Sequence, residues 1–310
     1  MSTRPSTESL FEQAVIYPDF EFQDRLNALV GLDSHKSRMT KILSLLINPE
    51  GIKSWIEKYH PNAKHISNIV LRRPPLVILE GDVGSGKSEL ATCIGDAVAR
   101  QEKIDVTLLP LSLSARGQGR VGEMTKLIST AFDYSIEKAK KLNNPSGKSR
   151  GAVILLVDEA DALTQSRESN QMHHEDKAGV NAFIRGIDRI ANGKLPAAVI
   201  MCTNRLNSLD PAIKRRAADI LKFSRPNEEQ RLAVLKEPLT ELGFTNHNIK
   251  DMVEVTGKTD IREYGFTFSD LTQRLLPSLI LDAYPNEAVN PKKSKEIANR
   301  IIPTPPFQDK

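Results

Sequence analysis

Leu76-Val-Ile-Leu-Glu-Gly-Asp-Val-Gly-Ser-Gly-Lys-Ser88 decides how this chain is read: an apolar run, a turn with three glycines, then a helical pattern from Ser88 into Ala97. Gly81, Gly86, Lys87 and Ser88 fit the spacing of a phosphate-binding P-loop, and the strand before and helix after that such a loop needs are both present. Glycines let the backbone bend so that several N–H groups converge on phosphate oxygens, and the following helix adds its positive end. Asp82, Val83, Gly84, Ser85 and Gly86, with Glu89 just inside the helix, are therefore expected to border the phosphates. Lys87 is placed to reach the β- and γ-phosphates and the Ser88 hydroxyl to sit on Mg²⁺. The plainer alternative is a glycine turn in a strand–helix unit.

Further along, 106–111 reads as a buried strand, 112–122 as a glycine-containing loop, and 123–142 as a helix with Met124, Leu127, Ile128, Ala131 and Phe132 at helical spacing. Ala152–Val157 is a continuous apolar strand of the kind buried on both faces of a parallel sheet, and it closes on Asp158-Glu159. At that strand end Asp158 can hold Mg²⁺ through a water, and Glu159 can take a proton from the water that attacks the γ-phosphate. The alternative is a pair of acids capping a strand. The polar stretch 164–177, with His173-His174, reads as a solvated loop in preference to a metal site, since no further ligand stands at suitable spacing.

Residues 179–190 return to helical spacing, and Ala197–Thr203 is another buried strand, ending at Asn204. That amide is either a hydrogen-bond partner of the attacking water or a turn former. Asp210-Pro211 opens a short helix carrying Lys214-Arg215-Arg216, and 219–223 makes a fifth strand. Strands alternating with helices give an α/β class with a five-stranded parallel sheet flanked by helices. Upstream, 33–47 reads as a helix, 55–68 as a polar stretch, and 1–23 as a flexible arm. Beyond Arg225-Pro226 the patterns are helical only, so the expected division is a large unit over 24–225 and a small helical lid over 226–310.

The 310 residues carry 43 Lys and Arg against 39 Asp and Glu, a net charge of +4 that does not by itself call for a polyanionic partner. Cys93 and Cys202 lie far apart in apolar surroundings, which suits a reduced, cytoplasmic chain. No leader pattern and no apolar run of membrane-spanning length is read, so neither secretion nor a membrane partner is expected.

The succession of P-loop, Asp-Glu strand, strand-tip Asn, Arg pair and helical lid resembles the AAA+ ATPases over about residues 24–290. Within them, Val180-Asn-Ala-Phe-Ile-Arg-Gly-Ile-Asp188, Arg216-Ala-Ala-Asp-Ile220 and Gln273-Arg-Leu-Leu-Pro277 are similar to the pachytene-checkpoint ATPases, which remodel HORMA-domain proteins. The short chain is most like their bacterial relatives in cyclic-oligonucleotide anti-phage operons. The resemblance implies ATP and Mg²⁺ as ligands, a homo-hexameric ring, and remodelling of a HORMA-domain protein that switches off a bound cGAS/DncV-like nucleotidyltransferase. It implies that Asn204 polarises the attacking water and that Arg216, ahead of Arg215, is the finger entering a neighbour's ATP site; an Arg-rich solvent face is the alternative for that pair. Arg274 becomes the lid arginine contacting the γ-phosphate, with a helix-surface charge as its alternative, and Val30 and Gly31 the adenine-side contact. Gly119-Arg120-Val121 falls where the pore loop lies, with Arg120 in a position usually aromatic. The second reading is an AAA+ nucleic-acid motor or a helicase or clamp loader, against which stand scattered arginines and no separate DNA-binding module.

Overall fold

The computed structural model describes residues 10–112, 123–144, 147–163, 174–260 and 262–307. Among them a six-stranded sheet forms in the order β1 (Val15–Tyr17), β3 (Asp105–Ser112), β4 (Gly151–Asp158), β5 (Ala197–Thr203), β2 (Leu76–Gly81), β6 (Ala217–Phe223). The β3–β4, β4–β5 and β5–β2 pairs are parallel, as near-continuous runs of Val, Ile and Leu require when both faces are covered. The register brings the carboxyl ends of these strands to one edge. Ser112 lies opposite Asp158, Val157 opposite Met201, and Thr203 opposite Glu80. The Asp-Glu pair, Asn204 and Glu80 near the end of β2 thus share the edge at which parallel sheets take ligands.

The sheet has one strand more than the five expected. Val15-Ile16-Tyr17, inside the stretch expected to be a flexible arm, pairs antiparallel with β3, and Leu10, Phe11 and Tyr17 are buried. β-branched and aromatic residues suit an edge strand, and the Tyr17 ring lies against Gly95, where an added Cβ would come within 2.3 Å of it. A three-residue run is too short to show a period, which is why composition alone reads it as arm.

One face of the sheet is covered by α6 (Glu123–Leu142) and α7 (His174–Gly193), packed together so closely that a Cβ on Gly186 would fall 2.3 Å from the Phe132 ring. Alternate residues Val153, Leu155 and Val157 of β4 join Phe132, Ile136, Phe183 and Ile187 in this core. The helix α7 starts at His174, five residues before the expected start at 179, and His173 lies outside the described residues. The remaining elements of this part include α2 (Asp33–Ile47), α5 (Lys87–Glu102) and α8 (Pro211–Lys214). The stretch expected to be merely polar forms α3 (Pro49–Tyr59) and α4 (Lys64–Val70), the former started by Pro49 at its first position.

The chain divides into two compact units, and the division is not a single cut. One unit holds residues 1–26, 34–80 and 88–221; the other joins 27–33 and the P-loop 81–87 to the C-terminal 222–310. The second unit is helical: α9 (Glu228–Glu241), α10 (Asn246–Val255), α11 (Leu276–Ala283) and α12 (Pro291–Arg300). Asn227 and Thr245 each form a capping box at the start of α9 and α10, which satisfies their first amides.

Candidate functional site

The P-loop backbone is left-handed at Gly84 (φ 74°) and Gly86 (φ 92°). A side chain at Gly84 would also meet Thr267 Oγ1 at 2.7 Å, so glycine is needed there on both counts. Lys87 is largely buried, and its ammonium donates to the carbonyls of Gly81 and Asp82, both at 2.7 Å, and to Ser85 Oγ at 3.4 Å. Its charge is therefore held over the loop's own backbone. Ser85 is buried and Val83 exposed. The Asp82 carboxylate pairs with Arg225 at 3.0 Å.

At the strand edge, Ser88 Oγ donates to Asp158 Oδ1 at 3.2 Å. A hydroxyl and a carboxylate this close present the hard oxygen donors that Mg²⁺ takes alongside phosphate oxygens and water, so the residues fit that ion. Among the described residues no cluster of three or more His, Cys, Asp or Glu side chains gathers for a metal. Glu159 follows with φ 52°, an uncommon conformation for a non-glycine residue, held by its N–H donating to Asp158 Oδ1 at 2.9 Å. Its carboxylate is exposed, and a cavity of about 530 Å³ beside it is lined by Glu12, Arg25, Thr92 and Asp158. A proton acceptor next to a space for water is what activating a hydrolytic water demands.

Glu89 is engaged by a side chain of the N-terminal segment. Its carboxylate takes both arms of the Arg25 guanidinium at 2.8 and 2.9 Å, and these bonds, against the opposing effect of burial, hold its pKa below the ordinary value. Arg25 was not among the residues the pattern selects. No motif marks it, and only the docking of the N-terminal segment brings it near Glu89. Burial, with Glu89 beside it, pushes the Cys93 thiol up to about 12, so it stays protonated and unreactive.

Asn204 lies where the strand tip predicts, and Asp161 organises it. One carboxylate oxygen of Asp161 accepts from Thr203 Oγ1 (2.5 Å), Asn204 N–H (3.0 Å) and Arg205 N–H (3.2 Å), while the other accepts from Asn204 Nδ2 (2.9 Å). An amide whose NH₂ end is fixed this way turns its acceptor oxygen elsewhere. Asp161 escaped the reading because only the fold brings it beside Thr203; its one sequence signal is its place three residues after Asp158.

The arginine pair divides. Arg216 forks onto Asp188 of its own chain at 2.7 and 3.0 Å, whereas Arg215 is exposed and its Nε donates to Pro211 O at 3.3 Å. In the second unit, Arg274 donates to Asp270 Oδ1 at 2.8 Å and to Ile302 O at 3.0 Å. Gly31, at φ 81°, accepts from Gln230 Nε2 at 2.6 Å, next to the partly exposed Val30. Gly119, Arg120 and Val121 lie outside the described residues.

Residues 77–225 match the model of the ATPase family associated with various cellular activities, AAA. The whole chain is 64% identical over 310 residues to CD-NTase-associated protein 6 of Escherichia coli (strain MS 115-1), covering 100% of both. The chain belongs to the AAA family of ATPases. It is an ATP hydrolase of that family, and its mostly parallel sheet flanked by helices is the family's fold. Among solved structures, the E. coli MS115-1 HORMA:CdnC:Trip13 complex contains a chain 62% identical, with a TM-score of 0.91 and coverage of 99% of this chain and 100% of that one. Rhizobiales Trip13 is 53% identical, with a TM-score of 0.76 and coverage of 96% and 100%. No helix of this AAA chain among the described residues is long and apolar enough to cross a membrane.

Proposed function

We propose that this ATPase works as a homo-hexameric ring that remodels a HORMA-domain protein and so switches off an associated CdnC-like nucleotidyltransferase in anti-phage defence, in the cytoplasm. The observation that carries the reading is the whole-length likeness, at 62% identity, to a chain of the HORMA:CdnC:Trip13 complex. Within the site, the amides of Asp82 to Ser88 and the Lys87 ammonium bind the phosphates of ATP. Ser88, and Asp158 through a water, would hold Mg²⁺, which would supply positive charge to the phosphates. Glu159 takes the proton of the attacking water at its carboxylate, and Asn204, oriented by Asp161, accepts the water's other hydrogen.

The positive charge of a neighbouring subunit completes the pocket, from Arg216 or the more exposed Arg215; a fixed cation there stabilises the charge spread over the transferring phosphoryl group. Arg274 contacts the γ-phosphate after leaving Asp270 and Ile302, and Val30 and Gly31 border the adenine. Gly119, Arg120 and Val121 grip the threaded segment, where the long aliphatic stem of Arg120 can pack on a peptide backbone.

The test is what remains bound to Glu159→Gln protein in ATP. The amide keeps the shape of the site and cannot take the proton, so ATP should stay bound and the partner be trapped. A HORMA-like protein in the complex supports the reading. Retained DNA, with a steeply salt-dependent ATPase, replaces it with the nucleic-acid motor.

A further inference from the structure

The last described stretch of the chain, 301–307, meets the P-loop through two side chains that the ATPase motif does not include. Arg225 spends all three guanidinium nitrogens: Nε on Asp82 Oδ2 at 3.0 Å, Nη1 on Gly265 O at 2.8 Å, and Nη2 on Thr304 O at 2.7 Å. Its face also lies 4.8 Å from the centre of the Tyr264 ring. The other oxygen of Asp82 accepts the Phe307 N–H at 3.3 Å. The second side chain is Asp270, fully buried. It accepts the N–H groups of Thr267 and Thr304, each at 3.0 Å, Thr304 Oγ1 at 2.8 Å and Arg274 Nη1 at 2.8 Å. The start of the helix that follows Thr267 touches the loop again, since Ser269 N–H donates to Gly84 O at 3.1 Å.

Two routes therefore run from Thr304 into the P-loop. Its carbonyl reaches Asp82 through Arg225, and its N–H and hydroxyl reach Gly84 through Asp270 and the residues from Thr267 to Ser269. Asp82 also supplies one of the carbonyls that seat Lys87. We propose that the C-terminal segment is a strap that sets the conformation of the P-loop, with Arg225, Asp270 and Thr304 as positioning residues for nucleotide binding. The proposal rests on the P-loop being the nucleotide site. Its mark is on affinity, because the bonds of Thr304, carried by Arg225 and Asp270, lead to the loop that binds phosphate. Loss of the strap should raise KM and leave kcat nearly unchanged.

Two variants test it in the full assembly. One ends the chain after Ile302. The other is Thr304→Pro, which deletes the N–H and hydroxyl that reach Asp270 while keeping the carbonyl, in a place already flanked by Pro303 and Pro305. For each, the dissociation constant of a fluorescent ATP analogue and the KM for ATP should rise about tenfold, the loss expected from a few charge-assisted bonds, with kcat within about twofold. Arg225→Lys keeps the charge but not the fork and should give a similar rise, one that does not multiply with the truncation. Unchanged analogue binding and KM in Thr304→Pro overturn the strap, as does a truncated protein that melts at a lower temperature without nucleotide yet keeps its KM. If the truncated chain does not fold, Thr304→Pro alone decides. Lys87→Ala is the control. Undiminished binding in that variant overturns the loop as the nucleotide site, whereas lost binding there with normal binding in the strap variants overturns the strap alone.

Discussion

Replacing Asp161 by Asn changes one atom and should reverse one amide. In the native site three donors, Thr203 Oγ1, Asn204 N–H and Arg205 N–H, converge on Asp161 Oδ1, and Asn204 Nδ2 donates to Oδ2. In Asp161→Asn those three donors keep the remaining oxygen in place, so the new NH₂ group falls opposite Asn204 Nδ2. Two donors face each other, and Asn204 relieves the clash by turning its amide over, which presents NH₂ where its acceptor oxygen had been. A water that must lose a proton then meets a donor in place of an acceptor. Loss of one preorganised hydrogen-bonding group at a reacting centre costs about a hundredfold in rate, or about 2.7 kcal/mol. The stability loss should be smaller, about 1–2 kcal/mol, because a charged acceptor becomes neutral while the shape is kept. The assay is steady-state ATP hydrolysis beside equilibrium binding of a fluorescent ATP analogue, with kcat falling about a hundredfold and affinity within about twofold. Adding Asn204→Ala should cost little more, since both changes remove the same interaction. A full native kcat in Asp161→Asn, or two losses that multiply, would refute the reasoning.

Three further outcomes are expected. Gly186→Ala places a methyl 2.3 Å from the Phe132 ring, so the α6–α7 contact must open at a cost of about 1–3 kcal/mol, read as a lower melting temperature, and a native melting temperature would show that the helices part freely. Subunits carrying Arg215→Ala with Arg216→Ala, mixed with Glu159→Gln subunits, should recover part of the ATPase activity that each lacks alone, because one kind of interface then holds both groups; mixtures no more active than their parents would remove the trans arginine. Burial raises the pKa of the Asp270 carboxyl, but hydrogen bonds from Thr267, Thr304 and Arg274 outweigh it and hold the folded value below the unfolded 3.8. The resulting stability is complete above the unfolded value and is lost as pH falls through the folded one, so as pH drops below about 4 the melting temperature should fall less in Asp270→Asn than in the native protein. Equal acid limbs would show that these bonds contribute nothing.

By itself the sequence determined the parts whose signals are local. A run such as 152–157, short, apolar and rich in Val, Ile and Leu, reads as a strand covered on both faces, and glycines at 84 and 86 permit a left-handed turn that few other residues allow, so the parallel sheet and P-loop were legible in the sequence. The order of those motifs likewise carried the family. Only the tertiary structure decided what depends on residues far apart in the chain. Asp161 beneath Asn204, Arg25 on Glu89, Arg216 folded back on Asp188, the edge strand at Val15–Tyr17 and the hold of Thr304 on the P-loop through Arg225 are all of this kind. The physical reason is that periodicity and turn chemistry act over a few residues, whereas a side-chain hydrogen bond between positions 82 and 225 exists only once folding has met the entropy cost of bringing them together.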